Sequence, residues 1–206
     1  MTKIWSRIRF VLRGFKKMLL FFLSFWDERD PVEERIKRWR ANGAKIGNNV
    51  QFQDFTVDER FIRLLEVEDE ANIGDRVNIV LHDSALNNLF GEECPVKFGK
   101  VKIKRGAYVA PDSKVLCGVT IGAYAVTAPG SVVTRDIPDY AIAVGVPAKV
   151  VGDVREMKKK HMAMIENQEE TPFRYLFIKP WRVRQKTMTW QEVEDIYQDF
   201  FRKVGW

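Results

Sequence analysis

The hydrophobic positions of residues 103–134 recur every six residues. The repeating positions are Ile103, Val109, Val115, Ile121, Thr127 and Val133. Small or β-branched residues stand four places after the first five, namely Ala107, Ser113, Val119, Ala125 and Ser131. A helix repeats at about 3.6 residues and a simple strand at about 2, so neither explains this period. The pattern predicts a β-solenoid with one side per hexapeptide, an inward branched residue and a small corner residue.

The same spacing extends toward the N-terminus with two interruptions. It starts at Ile46, is lost between about Asp54 and Phe61, and then returns. The returning positions are Val67, Ile73 and Ile79. Residues 83–100 do not keep inward branched residues and contain two glycines and a proline. They are predicted to form a loop that projects from the solenoid, and long loops on a tight scaffold usually carry function.

Helices are predicted on both sides of the solenoid. Residues 4–26 show one apolar stripe at helical spacing, and Asp30-Pro31-Val32-Glu33 opens a second helix that Asn42-Gly43 ends. After the solenoid we expect a helix over residues 153–168, an extended segment near 175–178 and a last helix opened by the capping box at 189–192. The chain is therefore divided into residues 1–26, 27–43, 44–152 and 153–206.

The net charge of +6 is carried by the N-terminal segment. Residues 1–26 contain six basic and no acidic side chains, so the rest of the chain is formally neutral. A nucleic-acid-binding body is therefore not expected. The two cysteines, Cys94 and Cys117, have no zinc or redox spacing and are interpreted as free thiols in a reducing cytosol.

The N-terminal stripe has two interpretations. Its members are Trp5, Ile8, Leu12, Phe15, Leu19, Phe22 and Trp26. The apolar run Met18–Phe25, which contains one serine, is too short to span a bilayer, and no A-x-A cleavage site follows it. A basic flank beside aromatic and leucine residues favours a helix lying in a membrane surface. The alternative is that the stripe packs on a sister subunit or on the C-terminal helices.

Three motifs resemble a known family. They are Val119-Thr120-Ile121-Gly122, then Ala128-Pro129-Gly130-Ser131-Val132-Val133-Thr134-Arg135-Asp136-Ile137-Pro138, and Gly145-Val146-Pro147-Ala148-Lys149-Val150-Val151. Over about residues 44–152 the chain resembles the hexapeptide-repeat acyltransferases, most of all the maltose, galactoside and polysaccharide O-acetyltransferases. The resemblance implies a mainly β fold, a left-handed parallel β-helix with helical extensions at both termini. It also implies a homotrimer with active sites between subunits, acetyl-CoA as acyl donor, and no metal.

His82 is the candidate general base. It ends a coil just before the loop, where the resemblance places the catalytic histidine, and an imidazole titrates near pH 6.5, which suits proton transfer. A structural histidine at a coil end is the alternative. His161 stands among lysines on a predicted helix and is expected to be a surface residue.

Four polar residues are candidates for acceptor binding. Asp54 occupies the place of an asparagine that shapes the site in galactoside-type enzymes, and it could bind a sugar hydroxyl or orient His82. Asp83, Asn87 and Asn88 begin the loop beside His82. For each of them a purely structural role is the alternative.

The resemblance also indicates where coenzyme A would lie. The matching coil turns are Ala110-Pro111 and Ala128-Pro129, and both prolines depart from the usual small residues. Because proline has no N–H, contacts there must use Ala110, Ala128 or carbonyl oxygens. Thr134 and Lys149 match positions near the phosphate-bearing end of the cofactor, where a lysine has an electrostatic rationale. Surface residues on the solenoid rim are the alternative.

The expected function is acetyl transfer to a sugar hydroxyl in the synthesis of cell-surface polysaccharide, in the cytoplasm or peripherally at the inner face of the cell membrane. N-acetylation of an amino sugar and a non-catalytic solenoid scaffold at a membrane are the alternatives. A γ-type carbonic anhydrase is rejected, because its zinc needs three histidines and this chain has two.

Overall fold

The computed structural model describes residues 31–167, 176 and 187–204. The chain divides into two compact units, Met1–Arg38 and Trp39–Trp206. Helix α1 (Pro31–Ala41) begins at the predicted proline and carries Glu33 and Glu34 in its first turn. The helix predicted over residues 4–26 and the extended segment near 175–178 lie outside the described residues, apart from residue 176. No helix in the described ranges has both the length and the apolar character to cross a membrane.

The second unit is a three-faced parallel β-helix. Its first face contains β1 (Lys45–Ile46), β4 (Leu65–Val67), β9 (Val101–Ile103) and β12 (Thr120–Ile121). Its second face contains β2 (Gln51–Phe52), β5 (Asn72–Ile73), β10 (Tyr108–Val109), β13 (Val126–Thr127), β15 (Ala141–Val144) and β16 (Lys149–Asp153). Its third face contains β3 (Phe55–Val57), β6 (Val77–Ile79), β11 (Lys114–Val115) and β14 (Val132–Val133). Within these three faces the strand pairs are parallel except β15 with β16, which closes the stack as an antiparallel pair.

The period of six sets which residues fill the interior. Ile103, Val109, Val115, Ile121, Thr127 and Val133 are all fully buried. Vertical neighbours are in register, for example Ile103 with Ile121, because three sides of six residues make one coil. The predicted inward column is therefore confirmed.

The corners are formed by pairs of residues. The small residues four places after each inward position are buried, as predicted. The residue just before each of them has a positive φ, and it is usually glycine, as at Gly106 with +65°. Tyr124 and Tyr140 adopt the same conformation at +55° and +62°, which is rare for bulky residues. Their rings stack with centroids 5.4 Å apart.

The loss of phase near residue 54 has a structural cause. Phe52 pairs with Ile73 and Val57 pairs with Ile79, so the first coil is one residue short between its second and third faces. A 3₁₀ helix, Glu59–Leu64, is then inserted before β4. Two irregular steps in succession therefore separate the first coil from the regular ones.

An aromatic cluster covers the N-terminal end of the interior. Trp39 is 1% exposed, and its ring meets Phe52 and Phe55 edge-on at centroid distances of 5.9 and 5.3 Å. The two phenylalanine rings stack at 5.1 Å. The cluster removes the open end of the apolar interior from water, which stabilises a solenoid.

Two predicted C-terminal helices are present. Helix α3 (Val154–Glu166) is capped by Asp153, whose carboxylate accepts from the Arg155 amide at 2.7 Å. Helix α4 (Trp190–Val204) opens with the predicted capping box. In that box the Glu192 amide donates to Thr189 Oγ1 at 3.2 Å and the Thr189 amide donates to Glu192 Oε2 at 2.6 Å.

Candidate active site

The segment predicted as a projecting loop is folded, and it fixes the position of His82. It contains β7 (His82–Asp83), helix α2 (Ala85–Phe90), a 3₁₀ turn (Gly91–Glu93) and β8 (Lys97–Phe98). Strands β7 and β8 pair antiparallel, with His82 opposite Phe98. The separation of Ile79 from Ile103 is a whole multiple of the repeat, so the insertion adds the length of one complete coil. This explains why the phase of the repeat survives across it.

Two aromatic rings hold the His82 imidazole. The ring of Phe61, from the 3₁₀ helix, lies 4.8 Å from the imidazole centroid, and that of Phe98 lies 6.0 Å away. Phe61 and Phe98 also contact each other edge-on at 4.9 Å. The His82 side chain is 25% exposed, so the ring is held by packing while part of it still reaches solvent. The two insertions of the β-helix thus meet at this histidine.

Asp58 is the carboxylate beside the imidazole. His82 Nδ1 lies 3.7 Å from Asp58 Oδ2. That nitrogen is buried and has no hydrogen-bond partner. This separation is too long for a hydrogen bond, although such bonds are often long before substrate binds. The carboxylate therefore lies beside the imidazole without a hydrogen bond between them.

Arg60 forms an ion pair with the same carboxylate. Its Nη2 and Nε donate to Asp58 Oδ2 at 2.5 Å and to Oδ1 at 2.9 Å. The Arg60 amide also donates to Oδ1 at 3.1 Å, so Asp58 is the N-cap of the 3₁₀ helix. The Arg60 guanidinium holds the pKa of Asp58 below its ordinary value, and His82 adds a smaller effect in the same direction. Asp58 is therefore an anion at neutral pH.

Sequence reasoning missed Asp58 and left the partner of the histidine open, with Asp54 as a candidate either for acceptor binding or for orienting His82. In the described part of the chain, the carboxylate within 4.0 Å of the imidazole is Asp58. The Asp54 carbonyl accepts from the Arg76 amide at 2.5 Å, which ties that residue into the next coil. The signal that could have found Asp58 was the loss of phase itself, because an aspartate there can cap an inserted helical turn. A role for Asp54 in acceptor binding stays a prediction.

The loop residues near His82 have structural bonds of their own. Asp83 Oδ1 accepts from the Ala85 amide at 3.0 Å. Asn87 Nδ2 donates to the carbonyls of Gly91 and Cys94 at 3.0 and 2.9 Å. Asn88 Nδ2 donates to Ser84 Oγ at 3.2 Å. These bonds hold the insertion together, and acceptor binding by the three residues stays a prediction.

The predicted cofactor turns have their amides engaged within the β-helix. The Ala110 N–H donates to Thr127 Oγ1 at 3.1 Å, and the Ala128 N–H donates to the Ala143 carbonyl at 2.8 Å. With no N–H on Pro111 or Pro129, contacts by coenzyme A at these turns would use carbonyl oxygens and apolar surface. Thr134 and Lys149 are exposed near the C-terminal end of the β-helix, and their roles also stay predictions.

The structure also describes the second histidine and the two cysteines that the sequence singled out. His161 is exposed on helix α3. Cys94 and Cys117 are half-buried free thiols. Among the residues that the structure describes, no group of three or more His, Cys, Asp or Glu side chains is placed to hold a metal ion.

Comparison with known proteins gives partial matches. No family model matches the chain. It is 46% identical over 74 residues to the dTDP-3-amino-3,6-dideoxy-alpha-D-galactopyranose 3-N-acetyltransferase of Aneurinibacillus thermoaerophilus, covering 36% of this chain and 38% of that protein. It is 33% identical over 111 residues to the serine acetyltransferase of Bacillus pumilus, covering 45% of this chain and 50% of that protein. The chain thus spans half or less of the length of these two relatives.

A solved structure supports the fold. The maltose O-acetyltransferase from Clostridium difficile 630 superimposes with a TM-score of 0.50 at 22% identity, covering 61% of this chain and 77% of that one. The relatives and structural neighbours are hexapeptide-repeat acetyltransferases, so the resemblance found in the sequence is confirmed. The left-handed parallel β-helix that it implied is confirmed as well.

Proposed function

We propose that this chain, whose relatives are hexapeptide-repeat acetyltransferases, transfers the acetyl group of acetyl-CoA to a sugar hydroxyl with His82 as general base. The observation that carries the proposal is the imidazole beside Asp58, fixed between Phe61 and Phe98 at the insertion. Acetyl transfer to a hydroxyl needs a base within hydrogen-bond reach of the acceptor proton. His82 is one of only two histidines in the chain, and the other lies on helix α3.

The proposed chemistry assigns one role to each imidazole nitrogen. Nδ1 faces Asp58, so Nε2 is left to take the proton of the acceptor hydroxyl. As that proton leaves, the oxygen attacks the thioester carbonyl and forms a tetrahedral oxyanion. Collapse of this intermediate forms the ester and breaks the C–S bond, and the departing thiolate takes the proton back from the imidazolium. Asp58 stabilises the imidazolium through its negative charge.

Substitution of the base tests the proposal. His82→Ala is expected to lower turnover of acetyl-CoA about 100- to 10,000-fold, the usual contribution of a general base. Binding of acetyl-CoA, measured by calorimetry, should be unchanged. His161→Ala is the matched control and should keep full activity. Full turnover by His82→Ala would remove the histidine from the mechanism, and a wild-type protein that does not bind acetyl-CoA would favour the scaffold alternative.

N-acetylation of a nucleotide-linked amino sugar is the second candidate. It is favoured by the 46% identity over 74 residues with a dTDP-amino-sugar N-acetyltransferase. The same base and donor serve an amine acceptor. A mass-spectrometric screen of paired sugars that differ only in a hydroxyl or amino group decides between the two reactions.

Assembly and location complete the proposal. We expect a homotrimer, which light scattering on the purified full-length chain would measure. Residues 1–26, with six basic side chains and none acidic, are proposed to hold a cytoplasmic protein at the inner membrane face. Deleting them should release the protein from anionic liposomes while turnover of a water-soluble acceptor continues. Full-length protein that ignores such liposomes would favour the packing alternative.

A further inference from the structure

Asp58 Oδ2 accepts a hydrogen bond from one neighbour while a second potential donor stands beside it. It lies 3.7 Å from His82 Nδ1, but it accepts its hydrogen bond from Arg60 Nη2 at 2.5 Å. The other carboxylate oxygen has a second donor, the Arg60 backbone amide, that does not depend on the guanidinium. If the guanidinium moves away, Oδ1 keeps a bond and Oδ2 becomes available to the imidazole. The buried, unpartnered Nδ1 is the group that would gain from that movement.

The Arg60 side chain is free to make such a movement. It is 75% exposed, and its Cζ lies 5.4 Å from the ring centroid of Phe61, which itself packs on His82. An exposed ion pair of this kind contributes little net stability. A phosphate group competes well for a guanidinium, because it accepts two parallel hydrogen bonds and carries more charge than a carboxylate.

Arg60 also lines a cavity of about 670 Å³. The cavity lies between the turn after helix α1 and the 3₁₀ helix, and its lining includes a second arginine, Arg63, and one acidic residue, Glu59. In the described structure no carboxylate pairs with Arg63. The last carbonyls of helix α1 do not need these guanidiniums, because the amides of the turn already donate to Trp39 and Arg40. Two arginines therefore face a cavity without a structural task that explains both.

We infer that the acceptor carries a phosphate or diphosphate group that binds in this cavity. Its binding draws Arg60 away from Asp58, so that Asp58 forms a hydrogen bond with His82. The base is therefore oriented only when the acceptor is present. The inference rests on the proposed function, since it assigns that function's acceptor class and makes Asp58 and Arg60 positioning residues. A nucleotide-linked sugar and a lipid-diphosphate-linked sugar share the required chemistry. This exchange of Asp58 between Arg60 and His82 would prevent the base from activating water when no acceptor is bound.

Inorganic pyrophosphate is the probe for the test, and the His82 imidazole is the reporter. The full chain contains two histidines, so an ¹⁵N-histidine-labelled sample gives two sets of imidazole signals, one per histidine, which His161→Gln assigns. Pyrophosphate should shift the Nδ1–H proton of His82 downfield, as a stronger hydrogen bond requires, whereas sodium chloride at equal ionic strength should not. With Asp58→Asn, pyrophosphate should still bind but leave the His82 signal in place.

Arginine variants distinguish the proposed release of Asp58 by Arg60 from simple anion binding. Arg60→Gln should show the downfield signal without pyrophosphate and bind the probe about tenfold more weakly, the loss expected for about 1.4 kcal/mol. Arg63→Gln should weaken binding similarly but start from the wild-type signal. Arg105→Gln is the matched control, because Arg105 pairs with Asp69 and lines a separate cavity of about 560 Å³. It should behave as wild type.

Two results would overturn the inference. They are a His82 signal that does not respond to pyrophosphate, and an Arg60→Gln protein whose signal stays at the wild-type position. Since acetyl-CoA is absent from the experiment, failure of acetyl transfer would be seen separately. Titration with a nucleoside diphosphate and with farnesyl diphosphate then distinguishes the carriers, because the correct one should bind more tightly than pyrophosphate itself.

Discussion

Phe98 is the cross-strand partner of His82, and the two rings lie 6.0 Å apart at an interplanar angle of 26°. The partner comes from the last strand of the insertion, at its far end from the histidine along the chain. The insertion therefore supplies a wall of the site as well as a candidate acceptor surface. Its second wall, Phe61, comes from the other irregular step of the β-helix.

Phe98→Ala should lower kcat about 2- to 10-fold, because an aromatic contact contributes about 0.5–1.5 kcal/mol to holding the imidazole. KM for acetyl-CoA should not change. Steady-state kinetics with the identified acceptor measures both constants. Phe90→Ala is the matched control, since Phe90 is 56% exposed on helix α2 of the same insertion. An equal loss in both variants would mean that the insertion acts as an acceptor surface and not as a wall for His82.

Substitution in the inward column should destabilise the β-helix. Val115→Ala removes two methyl groups at a position with 0% exposure, and the lost burial together with the cavity should cost about 2–3 kcal/mol. Val151→Ala, at a position with 65% exposure, should change the free energy of unfolding by less than about 0.5 kcal/mol. Urea unfolding followed by circular dichroism measures the difference. Similar losses in both variants would contradict the inward assignment.

Two corner glycines separate backbone strain from steric conflict. Both have positive φ, but a Cβ at Gly106 would lie 2.5 Å from the Tyr124 ring, whereas one at Gly118 would meet nothing within 4 Å. Gly118→Ala should cost about 1–2 kcal/mol of stability from φ alone. Gly106→Ala should cost about 1–3 kcal/mol more from overpacking.

The double variant Gly106→Ala with Tyr124→Ala isolates that steric part. The extra cost of Gly106→Ala should disappear in the Tyr124→Ala background, which a double-mutant cycle on unfolding free energies reveals. If the extra cost persists there, the tyrosine ring is not its source.

Acid should weaken the ion pairs that Lys102 forms with two glutamates on the first face of the β-helix. Lys102 donates to Glu66 and Glu68 at 2.9 Å each and holds the pKa of both carboxyls below their ordinary value of 4.5. A carboxyl whose pKa is lower in the folded than in the unfolded state stabilises the fold at pH values above its unfolded-state pKa. This stabilisation is lost as the pH falls through its folded-state pKa. The free energy of unfolding should therefore decrease as pH drops below 4.5.

Lys102→Met should flatten that decrease, because the carboxyls lose the cation that favours their charged form. The side chains are 22% to 36% exposed, so screening limits the effect to about 1 kcal/mol or less. Urea unfolding at a series of pH values measures it. Lys114→Met, on the third face, is the control and should keep the wild-type slope. An unchanged slope in Lys102→Met would assign the acid sensitivity to other carboxyls.

The coil and its interior could be derived from the sequence because they depend on a local repeat. An inward residue every six positions places Ile103 above Ile121 through the coil length alone, without knowledge of any distant contact. The capping box at Thr189 and Glu192 was equally readable, because its two hydrogen bonds join residues three positions apart. His82 was found from the resemblance and from its place before the insertion.

The surroundings of His82 were decided by the tertiary structure. The first coil is one residue short and a 3₁₀ helix follows it. A match to the family one coil before His82 therefore points to Asp54, while the folded chain brings Asp58 to the imidazole. Phe98 reaches the ring through antiparallel pairing inside the insertion, which a six-residue period does not encode. Periodicity determines side-chain direction only where every step has the same length, and the candidate site was built at the two places where it does not.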